Sequence, residues 1–450
     1  MSEKSEKLFR AIGGIGEDLA DGAGEEPLRR KKTNWTRFAA SAAAILIGVT
    51  AVAWVFARSA TPAYAVAEAV YPESVEVIRE TPERMLSFLE KSVPVFLGGE
   101  EGKNRVYSPV NLYVALGMLA ECTAGQSRDQ ILSLLGEDDI EAQRAAVTSV
   151  WKKVFRDSDR GKCLLANSLW MNDAVELKRE VPERLAADYY ASTYHGRMGE
   201  EDYDRAFADW INRQTENLLA DKIDGHTFNP RGVLTLASTV YFRGRWTDEF
   251  NKDDTFPGVF HSPAGDVTAD FMHDSRSGVI FRGERFTAFA RSFTMNATMF
   301  FLLPDEGVTP EELARDPAFL SLVTDWMGFE NTIEARIELA LPKFDVSSDT
   351  DLALGLQTLG VTDVFDFGAA DFSPLVDGES VALTGAEHAA RVAIDEEGCT
   401  AASYVLLEMD GAGAIMDEET VTLTFDRPFL FAVTEGNLPV FVGIVNTPAE

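Results

Sequence analysis

Hydrophobic and polar positions divide the chain into a short charged head, one long apolar run and a large body of mixed pattern. From Phe38 to Ala57 twenty consecutive residues carry no charge (FAASAAAILIGVTAVAWVFA), and Arg58 closes the run. At about 1.5 Å per residue such a helix crosses a hydrocarbon core about 30 Å thick. Arg29, Arg30, Lys31, Lys32 and Arg37 precede it. The positive-inside rule therefore places residues 1–37 in the cytoplasm and everything after Arg58 outside. Two other readings stand beside the anchor: a helix buried in a core, and a leader cleaved at the small residues of Ala63-Tyr64-Ala65. Within the head, Leu8, Phe9, Ile12, Ile15 and Leu19 fall roughly on one helical face that could dock a partner. Gly13, Gly14 and Gly16 interrupt that face, and a poorly ordered tail fits it equally well.

After a linker at residues 58–72, helical and strand patterns alternate without internal repeats to the end of the chain. Apolar spacing predicts a helix over Arg128–Leu135, and Tyr189–Tyr194 reads as the continuation of a helix that starts near Pro182. Runs rich in β-branched and aromatic residues predict strands at Val240–Phe242, Thr298–Leu303, Ile337–Leu341, Thr420–Phe425 and Val440–Val445. These strands lie far apart in sequence, so the sheets must be assembled from non-local pairs.

Composition narrows the function classes. With 46% apolar residues in 450 the chain can bury a large core. Its 41 Lys and Arg against 73 Asp and Glu give a net charge of −32, which repels nucleic acid. Cys122, Cys163 and Cys399 are odd in number and widely spaced, suggesting neither a disulfide framework nor a zinc site. The histidines His195, His226, His261, His273 and His388 form no HExxH motif. A GxSxG elbow, a phosphate-binding GxxxxGK[ST] loop and a dinucleotide fingerprint after a strand are also missing. No catalytic residue, metal or cofactor is assigned.

Eight segments in a fixed order carry a family resemblance from about Glu73 onward. They begin with Asn104-Arg-Val-Tyr-Ser108-Pro109-Val-Asn111 and Ser238-Thr-Val-Tyr-Phe242-Arg-Gly244-Arg-Trp246. Leu341-Pro342-Lys343-Phe344, Leu359-Gly360 and Ala370-Asp371-Phe372-Ser373 follow. The last three are His388-Ala-Ala-Arg-Val-Ala-Ile-Asp395-Glu396-Glu397-Gly398, Arg427-Pro428-Phe429-Leu430-Phe431 and Phe441-Val-Gly443-Ile-Val-Asn446-Thr-Pro448. This series resembles the serpins. The resemblance implies an α+β serpin-like fold over residues 73–450: a large central mixed β-sheet, further sheets, about eight or nine helices, and an exposed reactive loop at about 396–420.

A serpin loop is cleaved by its target protease and inserts into the central sheet before the acyl-enzyme hydrolyses. Such a strand needs a flexible hinge and small side chains on its inward face, since faces alternate with a period of two. The resemblance makes Glu396, Glu397, Gly398, Cys399, Thr400, Ala401, Ala402 and Ser403 the hinge. Cys399, Ala401, Ser403, Val405 and Leu407 then point inward, and Thr400, Ala402, Tyr404 and Leu406 outward. The inward set starts small and carries no charge or proline. Usual spacing puts the reactive bond at Ala412-Gly413; Met409, Ala414 and Met416 remain alternatives, and Gly411–Ala414 also reads as a plain surface linker. A small residue at Ala412 suits elastase-like or subtilisin-like serine proteases, with a cysteine protease as a further candidate. For Cys399, burial after insertion competes with a redox-sensitive role.

The resemblance also implies a sheet-opening cluster of Ser108, Asn111, Ser238 and His388, and a breach residue, Trp246. The family's usual asparagine partner for His388 is replaced by Ser238, so Asn111 is expected to supply a compensating Asn–His pair. The expected protein is a monomeric inhibitor of extracellular proteases, held in a bacterial-type cell membrane by residues 38–57 or secreted after cleavage near Ala65. A non-inhibitory binding or chaperone module and a receptor reporting loop cleavage are the other functions considered.

Overall fold

A computed structural model describes residues 64–72, 83–99, 101–378, 381–383, 386–399 and 419–448. The apolar run 38–57 and residues 400–418 lie outside these residues, and none of the described helices is long and apolar enough to cross a membrane.

Ten α-helices are described: α1 (Glu83–Leu97), α2 (Pro109–Cys122), α3 (Gly125–Leu135), α4 (Ile140–Val154), α5 (Glu180–Asp188), α6 (Glu201–Gln214), α7 (Ala220–Ile223), α8 (Pro310–Leu313), α9 (Pro317–Thr324) and α10 (Ala353–Thr358). Two of the ten, α7 and α8, are four-residue turns, which leaves eight longer helices in line with the expected number. Helix α2 begins where Ser108 caps it: the Ser108 hydroxyl accepts from Asn111 N–H, and Pro109 occupies the first turn, where its missing N–H costs nothing. Every residue of α2 except Ala115 is buried, as its nearly all-apolar sequence requires.

The central sheet contains β1 (Ala65–Ala67), β3 (Arg156–Ser158), β4 (Gly161–Asn172), β5 (Ala191–Gly196), β6 (Leu234–Arg245), β12 (Phe344–Asp351), β13 (Glu387–Ile394) and β14 (Gly398–Cys399). Its order is β1-β5-β4-β6-β14-β13-β12, with β3 paired to β4. The second sheet runs β15 (Thr420–Thr424), β11 (Thr332–Pro342), β8 (Gly265–Arg282), β9 (Phe286–Ser292), β10 (Ala297–Pro304), β16 (Phe429–Glu435), β17 (Leu438–Val445) and β2 (Arg105–Tyr107), with β7 (Thr255–Ser262) against β8. Parallel pairs β4·β5 and β11·β15 among antiparallel neighbours make both sheets mixed. Strands β16 and β17 are buried throughout, including Thr434 and Glu435 at the end of β16.

Two expectations change here. Tyr189–Tyr194 does not continue α5: the helix stops at Asp188, Tyr190 adopts φ 52°, and Ala191–Gly196 becomes β5, parallel to β4. Sheet pairing and the β-prone Ser-Thr-Tyr run prevail over the helical reading. The linker at 58–72 is also shorter than expected. Ala65–Ala67 pairs with β5, the Tyr64 carbonyl accepts from His195 N–H, and the Tyr64 ring meets Tyr203 edge-on at 5.0 Å.

Candidate functional site: the hinge and the sheet-opening cluster

Strand β13 ends at Ile394, and the chain turns back through Asp395, Glu396 and Glu397 into β14. Asp395 closes the turn. Its carboxylate accepts from the N–H groups of Glu397 (2.9 Å) and Gly398 (3.1 Å), and its own N–H donates to the Gly398 carbonyl (2.9 Å). The three successive carbonyls of the turn are all held by one neighbouring segment. Trp246 Nε1–H donates to Asp395 (3.0 Å), Phe250 N–H to Glu396 (2.9 Å) and Trp246 N–H to Glu397 (3.0 Å). Trp246 itself is buried, stacked on Phe293 with centroids 4.5 Å apart. The resemblance implied a breach position for it; in the structure it bonds the backbone of Asp395 and Glu397 directly.

The hinge carboxylates are paired. Glu396 is buried; its carboxylate accepts from Thr255 Oγ1 (2.9 Å) and lies 3.2 Å from Lys343 Nζ. Burial works against its charge, but hydrogen bonds from its own backbone, Thr255 and Lys343 outweigh it and hold the carboxyl below its usual range. Glu397 faces Lys252 at 2.5 Å, which likewise lowers its carboxyl. Sequence reasoning named both acids and missed their partners. Lys343 alone carried a signal, inside the Leu341–Phe344 segment.

Strand β14 sits between β6 and β13. Gly398 lies opposite Arg245, and Cys399 lies opposite Gly244 on one side and Ile394 on the other. A Cβ on Gly398 would stand 2.2 Å from the Gly244 carbonyl oxygen, so backbone contact excludes any side chain there. Cys399 is buried in the hydrophobic core. Among the described residues β6 and β13 are bridged only by these two residues. Thr400, Ala401, Ala402, Ser403, Ala412 and Gly413 lie outside the described residues.

The sheet-opening cluster is only partly assembled as expected. His388 on β13 accepts at Nε2 from the backbone N–H of Ser108 (3.1 Å), which places its proton on Nδ1. The Ser108 hydroxyl donates to the Val440 carbonyl (2.7 Å). The expected Asn111–His388 hydrogen bond is not formed: Asn111 Oδ1 is buried and has no hydrogen-bond partner. The α2 turn explains this, because capping brings the Ser108 backbone amide to the imidazole. Ser238 donates instead to Asn167 Oδ1 (2.7 Å), and Asn167 Nδ2 donates to the Tyr189 carbonyl. Asn167 was missed because nothing local marks it; its role comes from β4 pairing with β6. Burial pushes the His388 imidazole down to about 4, so it stays neutral. Among the described residues no group of His, Cys, Asp and Glu side chains is arranged to hold a metal ion.

Comparisons with known proteins identify the family. Residues 96–448 match the family model described as Serpin (serine protease inhibitor). Serpin-ZX of Arabidopsis thaliana is 25% identical over 370 residues, covering 77% of this chain and 93% of that protein. Plasminogen activator inhibitor 1 of Neovison vison is 26% identical over 363 residues, covering 77% and 88%. Among solved structures, the thermophilic serpin Tengpin in its native state superposes with TM-score 0.71 at 23% identity, covering 85% of this chain and 97% of that one. That structural likeness shows the fold, and the matched segment spans well over half of the sequence. The chain therefore belongs to the serpins, a family of serine protease inhibitors and not of enzymes.

Proposed function

We propose that this serpin inhibits extracellular serine proteases by cleavage and insertion of its reactive loop. The observation that carries this reading is the register of β14. Its two residues occupy a strand position between β6 and β13 that the rest of the loop can extend. Continuing that register in the inserted form would set Ala401 between Phe242 and Val392, Ser403 between Val240 and Ala390, and Val405 between Ser238 and His388. Phe242, Val392, Ala390 and His388 are all buried, so this is the inward row, and it receives small or apolar side chains free of charge. From Gly398 to Ala412 the strand would span roughly 46 Å at about 3.3 Å per residue. It would gain main-chain hydrogen bonds along both edges, by strand addition.

The protease serine attacks the Ala412 carbonyl, the Ala412-Gly413 bond breaks, and Gly413 leaves as a free amine. Ala412 remains as an ester on the protease. If insertion is faster than attack by water, the ester is trapped; if slower, water releases intact protease. The small Ala412 fits the specificity pocket of elastase-like or subtilisin-like enzymes.

Residues 38–57 serve, in this reading, as a single-pass anchor of a bacterial-type protein with the serpin domain outside the cell. Retention is supported by β1, since cleavage near Ala65 would remove Tyr64, which binds His195 and packs on Tyr203. The deciding experiment incubates the full chain in detergent with an elastase and with a subtilisin, followed by denaturing gels and mass spectrometry. A covalent complex and a C-terminal fragment beginning at Gly413 are expected. Loop cleavage without complex and without gain in thermal stability would leave a non-inhibitory binding module instead.

A further inference from the structure

We propose that Arg291 is a positioning residue for the hinge: its buried guanidinium fixes the Trp246–Phe250 segment that grips the backbone of Asp395, Glu396 and Glu397. The inference rests on the inhibitory reading for its effect on trapping, although not for its effect on the hinge itself.

Arg291 lies on β9 and is 3% exposed. Each direction of its guanidinium meets a different part of the clamp. Nη1 pairs with Asp274 at 2.8 Å, and Nη2 donates to the backbone carbonyl of Asp248, in the middle of the gripping segment. The guanidinium carbon stands 3.7 Å from the centre of the Phe250 ring and 5.6 Å from that of Trp246. The next residue along β9, Ser292, accepts from Thr247 N–H at 2.9 Å. Arg276 completes the arrangement, reaching Asp274 at 2.5 Å and Asp248 at 3.1 Å.

A charge at this depth is expensive. Burial pushes the guanidinium down to about 10, and its Nε–H has no acceptor. A buried ion pair is commonly no more stable than well-packed apolar residues of similar size. What the guanidinium supplies and a methionine would not is direction: one planar fork ties Asp274 to the Asp248 carbonyl while lying against Phe250. Phe250 and Trp246 are the residues whose N–H groups and indole hold all three hinge carbonyls. Fixing them keeps Gly398 and Cys399 in register between β6 and β13, so that insertion starts from strand already seated. A loosened clamp should slow insertion after cleavage and leave the cleavage step alone.

The test uses the full chain carrying Arg291→Met, Arg291→Lys or Phe250→Leu, against the protease that the wild type traps. Two readings are taken: moles of inhibitor consumed per protease inactivated, and the rate of loop cleavage. Amide exchange of Trp246, Phe250 and Glu396–Cys399 is followed in the absence of protease. Arg291→Met is expected to raise inhibitor consumption about threefold or more with cleavage changed by less than about twofold. The Trp246 and Phe250 amides should exchange about tenfold faster. Arg291→Lys, which keeps the charge beside Asp274, should recover part of both effects, and Phe250→Leu should move both in the same direction as Arg291→Met. Unchanged exchange and unchanged consumption in Arg291→Met would overturn the inference, as would a loss of trapping matched by an equal loss of cleavage. Should Arg291→Met fail to fold, Phe250→Leu decides, and wild-type behaviour there would overturn it. A wild type that is cleaved without trapping refutes the inhibitory reading, and the exchange measurement then still decides the role of Arg291.

Discussion

The backbone amide of Ser108 and the imidazole of His388 meet across 280 residues of chain, with the N–H donating to Nε2 at 3.1 Å. The bond ties the start of α2 to β13, one of the two strands that flank β14. It requires a neutral imidazole, because a protonated Nε2 cannot accept. His388 titrates near 4 when folded, against 6.5 for the unperturbed side chain. Between these values the unfolded chain binds more protons than the native one. The contribution of His388 is therefore complete above about pH 6.5, is lost as the pH falls towards 4, and changes no further below that. Over the full window it amounts to about 3 kcal/mol. His388→Gln keeps an acceptor and removes the titration, so its denaturant midpoint should vary less than that of the wild type between pH 4.5 and 7. Equal pH dependence in both proteins would show that other groups dominate.

Tyr71 sets a second prediction. It stacks on Tyr190 with centroids 5.9 Å apart and lies 6.1 Å from Trp151, while the N–H of the preceding Val70 donates to the Ala186 carbonyl. Tyr190 is a bulky residue at φ 52°, a conformation that persists only when its surroundings impose it. Tyr71→Ala removes one wall of that site and should cost about 2 kcal/mol. Equilibrium unfolding with near-ultraviolet circular dichroism would measure it. A cost below about 0.5 kcal/mol would mean that Trp151 alone holds Tyr190.

This segment also shows where the sequence runs out. Residues 58–72 read as a linker because their pattern is short and carries no period, yet Ala65–Ala67 becomes a strand once β5 offers an edge. Pairing with β4 likewise turned Ala191–Tyr194, read as helix, into part of β5. Long, strongly patterned runs were legible: β10, β11 and β17 lie where β-branched and aromatic residues cluster. Of the site, Trp246, Glu396, Glu397, Gly398 and Cys399 were found because the family motifs contain them. Asn167, Lys252, Thr255 and Arg291 were not, since each meets a partner distant in sequence that only the fold brings near. Of the cluster expected around His388, only Ser108 bonds the ring, and it does so through its backbone amide. A residue list cannot show that a backbone amide, and not the side chain three residues on, reaches the ring.

Glu121 offers a test of the helical layer beside the central sheet. Its fully buried carboxylate accepts from Arg144 at 2.5 and 3.2 Å, from Arg184 at 3.3 Å and from the Tyr189 hydroxyl at 3.1 Å. One side chain at the end of α2 thus holds α4, α5 and the residue after α5. Glu121→Ala leaves a void and a buried hydroxyl without an acceptor, and should cost about 3 kcal/mol. Glu121→Leu fills most of the volume, and Arg144 can still turn to Glu141 and Asp188, 3.7 and 3.9 Å away. Its cost should be about half as large. Guanidinium unfolding of both variants gives the comparison, and a leucine variant as unstable as the alanine one would assign the loss to the ion pairs and not to the cavity.

Gly398 is where sheet geometry and the proposed inhibition meet most directly. The Gly244 carbonyl oxygen stands 2.2 Å from where a Cβ would be, and the Arg245 Cα stands at 2.8 Å, so both obstacles are backbone and neither can rotate away. An alanine must therefore push β14 out from between β6 and β13, or push those strands apart. The proposed reactive bond, Ala412-Gly413, lies fourteen residues further on, so recognition by the protease should be unaffected. Insertion, however, would begin without its first two residues in place and in the wrong register, where a one-residue slip would turn the inward set outward. Gly398→Ala is expected to be cleaved at the wild-type rate while several times more inhibitor is consumed per protease trapped. A barrier raised by about 1 kcal/mol is enough for a change of that size. Gel densitometry of complex against cleaved inhibitor, at several molar ratios, measures the partition. If Gly398→Ala trapped as efficiently as the wild type, the seated hinge would be a feature of the resting sheet with no part in loop insertion.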